Sequence, residues 1–281
     1  MRKFVILTTP RTGSNMLVSA LSSHPDIECF GELFRTRTAN SIYGLEVLNY
    51  IDEKFSSESY RFSHASEYLS AVYSTAVEVG YVGFKLMLRQ NIELRDALIA
   101  DEQYRKILLY RENVLASFSS ECIAKVTGQA IATWNDEIKT VKVEFDPEKF
   151  QRYRDRRSRL YSETRTLLQA TGQDFCEVEY LSAMTEATMK GLIGYIGVDT
   201  SFQCSPNTVN AIPATSCKDS VTRRSSHHTC NQSVVNIGKM KIVCAIRSFA
   251  LLSFYMQVCV ETVPYDCHYP NRRFWDQHAH P

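Results

Sequence analysis

Between Leu7 and Leu17 the chain reads LTTPRTGSNML, and five consecutive residues there, Arg11, Thr12, Gly13, Ser14 and Asn15, combine a guanidinium, two hydroxyls, a carboxamide and a glycine. That set suits an oxyanion. The glycine lets backbone approach a phosphate or sulfate closely, the hydroxyls can donate to its oxygens, and the arginine supplies a charged fork. The run lies between KFVILTT (3–9), an apolar β-branched strand candidate, and SNMLVSALSS (14–23), where Met16, Leu17, Ala20 and Leu21 recur at helical spacing. A loop leaving a strand's carboxyl end and opening a helix points backbone N–H groups and the positive end of the helix dipole at such an anion. The competing reading is an ordinary turn with Ser14 as the helix N-cap. No Gly-Lys-Ser/Thr of a nucleoside-triphosphatase loop and no Gly-x-Gly-x-x-Gly fingerprint is present.

A second group has the same architecture. In KILLYRENVLASFSSECIA (106–124), Arg111 stands at the end of a strand candidate and Ser119 lies eight residues on, about two turns along the next helix. A guanidinium and a hydroxyl emerging beside the first loop can clamp a second phosphate; taken singly, each is equally a surface residue.

Together these two groups resemble the sulfotransferases that use 3′-phosphoadenosine 5′-phosphosulfate. Their 5′-phosphosulfate loop is matched by Arg11, Thr12, Gly13, Ser14 and Asn15, and their 3′-phosphate element by Arg111 and Ser119. Within that superfamily the sequence is most similar to the bacterial carbohydrate sulfotransferases of Nod-factor and trehalose type. The similarity runs through SSHPDIECFGELF (22–34), GYVGFKLM (80–87), YRENVLASFSSECIAKVTGQ (110–129) and EVEYLSAMTEATMKGLIGYIGV (177–198). It spans residues 3–199. The resemblance implies a three-layer α/β/α sandwich with a central parallel sheet, nucleoside-kinase-like, binding nucleotide at its carboxyl edge. It implies transfer of a sulfuryl group to a hydroxyl, on a carbohydrate or glycolipid, with adenosine 3′,5′-bisphosphate as product and no metal. It further implies Glu32 as the base that takes the acceptor's proton and Arg11 as the cation at the leaving oxygen, with Lys85 a secondary candidate. Two other readings stay open: a nucleotide-binding relative without turnover, and a phosphotransferase built on the same loop.

The elements that must hold these residues follow from the rest of the pattern. GYVGFKLM, KILLY (106–110) and DFCEVEY (174–180) read as further strands; NIELRDALIADEQ (91–103), ENVLASFSSECIAKV (112–126) and PEKFQRYRDRRSRLYSETRTLLQAT (147–171) read as helices. Strands alternating with helices predict a parallel sheet covered on both faces. The Tyr-, Ser- and Phe-rich segment 34–78 and the basic helix 149–165 are the candidate lining of an acceptor cleft.

Composition bounds the function. With 281 residues, 44% of them hydrophobic and a net charge of +1, the chain has a core but no global field for nucleic acid or an anionic membrane surface. The apolar run Phe4–Leu7 is stopped by Pro10 and Arg11, too early for a signal-peptide core, so a cytoplasmic location is expected. Cys29 and Arg35 share the Cys-x5-Arg spacing of tyrosine phosphatases, but Glu28 and Glu32 would repel both thiolate and phosphate. A hydroxyl-bearing small molecule is the expected partner, and a second copy of the chain is a further candidate.

After residue 200 the character changes. Six of nine cysteines and five of seven histidines follow residue 203, but only one glycine, Gly238; residues 214–281 carry 8 basic and 4 acidic side chains against 24 and 27 in residues 1–213. We read residues 1–200 as the sulfotransferase-like domain and 201–281 as an atypical Cys- and His-rich segment. It is a divergent cap using Lys218, Arg223 and Arg224, a lineage-specific extension, or a segment translated out of its ancestral frame. His227, His228 and Cys230, with Cys217 and Cys244, lack the Cys-x2-Cys spacing of a zinc site. Asn231 opens a glycosylation sequon, which matters only in a secretory compartment. The stretch 242–260 is the most apolar, but Arg247 and Gln257 interrupt it and favour a buried helix or strand pair over a membrane span.

Overall fold

A computed structural model describes residues 1–35, 46–76, 78–129, 132–133, 137, 139, 141–201, 204, 208–209, 233–237, 240–244 and 255–256. The candidate zinc residues His227, His228, Cys230 and Cys217 and most of the apolar stretch 242–260 lie outside them. In chain order the principal elements are β1 (Arg2–Thr8), α1 (Ser14–Ser22), β2 (Ile27–Phe30), α2 (Glu58–Ser63), α3 (Ala65–Tyr73), β3 (Tyr81–Met87), α4 (Ile92–Ala100), β4 (Tyr104–Tyr110), α5 (Val114–Thr127), α6 (Pro147–Ala170), β5 (Phe175–Glu179), α7 (Tyr180–Ala183) and α8 (Glu186–Ile196).

All five strands pair in parallel in the order β2-β3-β1-β4-β5, so β1 is central. Its run Phe4-Val5-Ile6-Leu7 is wholly buried because consecutive side chains enter different layers. Phe4 and Ile6 pack with Leu17, Leu21, Ile193 and Ile196 of α1 and α8. Val5 and Leu7 pack with Tyr68, Leu98 and Tyr161 of α3, α4 and α6. This is the expected three-layer α/β/α sandwich, with the nucleoside-kinase-like arrangement of a strand, loop and helix at its centre.

The element boundaries have local causes. Asn91, Asn113, Asp146 and Thr185 cap α4, α5, α6 and α8, each side chain accepting a backbone N–H of the first turn. Gly128 and Gly197 end α5 and α8 in the left-handed conformation. The helix expected over 91–103 stops at Ala100, because Asp101 turns extended and its carboxylate accepts the Gln103 N–H at 2.8 Å. That turn lets β4 begin at Tyr104, two residues before the KILLY run. The short strand β2 carries too few residues to announce itself as a strand.

Within the segment 34–78, four aromatics expected to line a cleft turn into the core instead. Phe34, Phe55, Tyr68 and Tyr73 are all buried, and Phe34 meets Tyr68 edge-on at 5.3 Å between ring centroids. Those aromatics build the core beneath the sheet. Antiparallel pairs join Ala132–Thr133 to Thr208–Val209, Val143–Glu144 to Tyr255–Met256 and Ser233–Ile237 to Met240–Cys244. Among the described residues no helix is long and apolar enough to cross a membrane.

Close packing of the sheet on α1 and α8 yields a paired prediction. Gly83 of β3 stands opposite Phe4, and a Cβ there would lie 2.4 Å from the buried Phe4 ring. Gly83→Ala is expected to cost about 1–3 kcal/mol through overpacking. Gly191, exposed in the interior of α8, has nothing within 4 Å. Gly191→Ala is expected to stabilise by up to ~1 kcal/mol through helix propensity. Thermal melts that moved both variants in the same direction would contradict this packing.

Candidate functional site

The central strands β1 and β4 end side by side, so the loops that follow them share one edge of the sheet. The Thr8 hydroxyl donates to the Leu109 carbonyl at 2.9 Å, and the Tyr161 hydroxyl donates to that same carbonyl at 2.8 Å from α6. Thr12 is fully buried and donates to the Thr9 carbonyl at 2.8 Å, while its hydroxyl lies 2.6 Å from that of Thr8. The hydroxyl expected to face an anion is therefore turned inward, where it holds the loop closed.

The loop bends through two left-handed residues, Arg11 at φ 65° and Gly13 at φ 75°. Arginine is strained in that conformation; glycine is not. Gly13 meets a second constraint, because a Cβ would fall 2.0 Å from the Tyr180 ring at the start of α7. Gly13, not Ser14, occupies the N-cap of α1, and no side chain caps that end. The N-cap role weighed for Ser14 is thus corrected: Ser14 is the first residue of the helix, and the first turn carries no acidic side chain. An uncapped helix start with no carboxylate keeps its positive potential toward an incoming anion.

Arginines gather around this loop from three elements. Arg11 Nε donates to Ser120 Oγ on α5 at 2.8 Å, and Ser117 Oγ donates to the Arg11 carbonyl at 3.3 Å. Arg111, just past β4, donates to the Arg11 carbonyl at 3.4 Å and lies over the Tyr180 ring at 4.8 Å. Arg157, midway along α6, donates to the Pro10 carbonyl at 3.1 Å. Burial holds Arg11 and Arg111 below the usual arginine range. Arg111 adds to that effect on Arg11, as Arg157 does on Arg111. Such mutual repulsion favours a bound polyanion.

Ser119, expected to act with Arg111, points elsewhere. It lines a small depression with Leu115, Cys122 and Phe145, on the side of α5 away from Ser117 and Ser120. Four residues that do meet the loop were missed: Ser117, Ser120, Tyr161 and Arg157. The last two had a visible signal, since Tyr153, Arg157 and Tyr161 recur every four residues and form a buried stripe on an otherwise polar helix.

On the other flank of α1, three residues far apart in sequence come together. Lys85 of β3 is 2% exposed; its ammonium pairs with Glu32 Oε1 at 3.3 Å and donates to Asn15 Oδ1 in the first turn of α1. Burial pulls the Lys85 ammonium below the ordinary lysine range, opposed by the charge of Glu32. The loop that carries Glu32 is itself held by its carbonyls. Lys85 N donates to Gly31 O, Tyr68 Oη to Leu33 O and Arg61 Nη2 to Arg35 O, each at 3.2 Å. Cys29 is buried in β2, and burial drives its thiol far above the usual range, which removes the phosphatase reading. Among the described residues no three His, Cys, Asp or Glu side chains cluster as metal ligands would.

Lys85 carries a pH signature. Its folded value is lowered, so between that value and the unfolded one, about 10.4, the unfolded chain binds more protons. The stability it contributes is therefore full above the unfolded value and is lost as pH falls through the folded one. Lys85→Met is expected to remove this slope, seen as a wild-type-minus-variant difference in denaturation free energy that grows toward alkaline pH. A flat difference would mean that the lysine is not charged in a buried setting.

No family model and no curated protein matches the chain. Among solved structures, a sulfotransferase from Alicyclobacillus acidocaldarius is similar at 14% identity and a TM-score of 0.43, over 76% of this chain and 87% of that one.

Proposed function

We propose that this protein transfers a sulfuryl group from 3′-phosphoadenosine 5′-phosphosulfate to the hydroxyl of a small acceptor, with a carbohydrate as the acceptor class to test first. One observation carries the proposal: Lys85 links the Glu32 carboxylate to Asn15, so a base candidate stands beside the arginine-rich loop that opens α1. An anion loop alone would serve a binding protein; the adjoining carboxylate and buried ammonium add the parts for chemistry.

The bound donor supplies an activated sulfuryl group attached to phosphate through a bridging oxygen. Around it the chain's own residues divide the work. The amides at the start of α1, with Ser14, hold the 5′-phosphate end. Glu32 accepts the proton from the acceptor hydroxyl as that oxygen bonds to sulfur. The S–O bond to the bridging oxygen breaks in the same displacement, and its electron pair leaves with the phosphate. Arg11 and Lys85 stabilise the negative charge that grows on that oxygen. Lys85 thus touches both flanks of the reaction, orienting the base and facing the leaving group. Arg111 binds the second phosphate of the donor, and residues 1–200 form the catalytic unit in this reading.

Adenosine 3′,5′-bisphosphate is expected to raise the melting temperature of the purified protein by mass action, with ATP and magnesium as the control. Arg11→Ala with Arg111→Ala should abolish the shift. A response confined to ATP and magnesium would instead indicate phosphoryl transfer. With a sugar acceptor, Glu32→Gln should lower the rate of bisphosphate release by about 10²–10⁴-fold while leaving the thermal shift intact. Bisphosphate binding without acceptor-dependent release of bisphosphate from the phosphosulfate donor, across a range of hydroxyl acceptors, would mark a non-catalytic binder.

A further inference from the structure

At the amino-terminal edge of the sheet, away from the anion loop, α3, α4 and the starts of β1 and β4 enclose an open cleft of about 430 Å³. That is the size of a small-molecule site. Lys3, in its lining, is the second residue of β1 and Thr8 the last, so the cleft stands about 17 Å along the strand from the loop. Leu69, Leu94 and Leu98, all nearly buried, give it an apolar floor. Ser66 and Ser70 of α3 and Ser74 just past its end recur at four-residue spacing and rim one side. The Ser74 hydroxyl donates to the Ser70 carbonyl at 2.9 Å, whereas those of Ser66 and Ser70 have no partner among the described residues. By itself, a row of serines is an ordinary wet helix face. The end of the cleft nearest the sheet is different. Tyr73 and Tyr104 are 5% and 6% exposed, and their hydroxyls lie 3.1 Å apart. Two phenols carry two protons; the bond between them uses one, and the other has no acceptor among the described residues. Lys3 Nζ lies 5.8 and 5.6 Å from the centroids of the same two rings, with Gln103 Oε1 as its hydrogen-bond partner at 3.4 Å. A phenol proton and an ammonium thus converge where a ligand oxygen would satisfy both.

Charge balance decides which kind of ligand fits. Lys3 and Asp101 are the charged side chains of the lining, one of each sign. An anion would meet Asp101 and a cation would meet Lys3, while an apolar molecule would strip water from both and replace none of their hydrogen bonds. A hydroxyl both donates and accepts. Several hydroxyls on one carbon frame can therefore serve the ammonium, the phenol, the carboxylate and the serines together, with the C–H faces of the frame resting on the leucines. We infer that this cleft is a binding site for a small neutral saccharide, separate from the anion loop. It uses none of the residues assigned to sulfuryl transfer, so it stands or falls apart from the function proposed above.

The test titrates the full chain with glucose, maltose, cellobiose and lactose, and with acetate and methylammonium as charged controls, using ligand-detected NMR on wild type, Ser70→Trp and Lys3→Met. Wild type should bind at least one sugar and prefer it to both controls. Ser70→Trp starts from an exposed position and lays a ring across the cleft, so it should abolish that binding. Its melting temperature, and the shift of that temperature with adenosine 3′,5′-bisphosphate, should match wild type, since the core and the far edge are untouched. Lys3→Met should weaken the sugar about tenfold or more, the worth of one charged hydrogen bond. Failure of wild type to bind any of the sugars would overturn the inference. Sugar binding that survives both substitutions unchanged would also overturn it and place the sugar at an acceptor site by the anion loop. Tighter binding of acetate or methylammonium than of every sugar would overturn the saccharide class. A missing bisphosphate shift in wild type would count against the nucleotide reading alone.

Discussion

The bond from the Thr8 hydroxyl to the Leu109 carbonyl fixes the junction on which the site depends. It ties the carboxyl ends of the two central parallel strands at the place where each passes into a loop. Parallel pairing makes this possible, because β1 and β4 both run outward and release their loops at the same edge. From β1 the chain passes through α1 to the strand at the far edge of the sheet, while β4 lies on the opposite side of β1. A crevice at the carboxyl edge is the ordinary result where connections diverge in this way. Arg11 and Arg111, a hundred residues apart in sequence, meet because the sheet leaves them nowhere else to go.

Once the loops are joined, charge governs the remainder. Arginines from the first loop, from the end of β4 and from α6 stand close enough to repel one another, and the helix start adds positive potential in the same region. Neutral partners hold them: serine hydroxyls of α5, backbone carbonyls of the loop, and the rings of Tyr161 and Tyr180. None of these cancels the charge. Two carboxylates act on these arginines, Glu121 on Arg11 and Glu179 on Arg111, while Glu32 pairs with Lys85 on the other flank of α1.

How much of this could be read in the sequence varies with the physical range of the signal. Strands such as KFVILTT and helices such as 147–171 declare themselves by local periodicity, and the anion loop by residue types within five positions. The inward turn of the Thr12 hydroxyl could not be foreseen, since its partners are the Thr9 carbonyl and Thr8, and Thr8 is itself placed by a carbonyl of β4. The same holds for Ser119. Its spacing from Arg111 is right, but helical phase places Ser117 and Ser120 toward the loop and Ser119 away from it. Phe34, Phe55, Tyr68 and Tyr73 misled because tyrosine and phenylalanine suit a sugar cleft and a buried core equally well. Only burial against Val5, Leu7 and Phe84 decides between them.

The buried residues of both layers all precede residue 200, and Cys204 adds a partly buried contact from beyond it. Helices drawn from residues 14–196 cover both faces of the sheet, and the two buried clusters run from Phe4 to Val198. The chain then leaves α8 through Gly197, whose carbonyl accepts the Tyr81 hydroxyl at the start of β3, while His24 reaches the Asp199 carbonyl at 3.3 Å. Those contacts pin the end of α8 to the amino-terminal edge of the sheet, opposite the site.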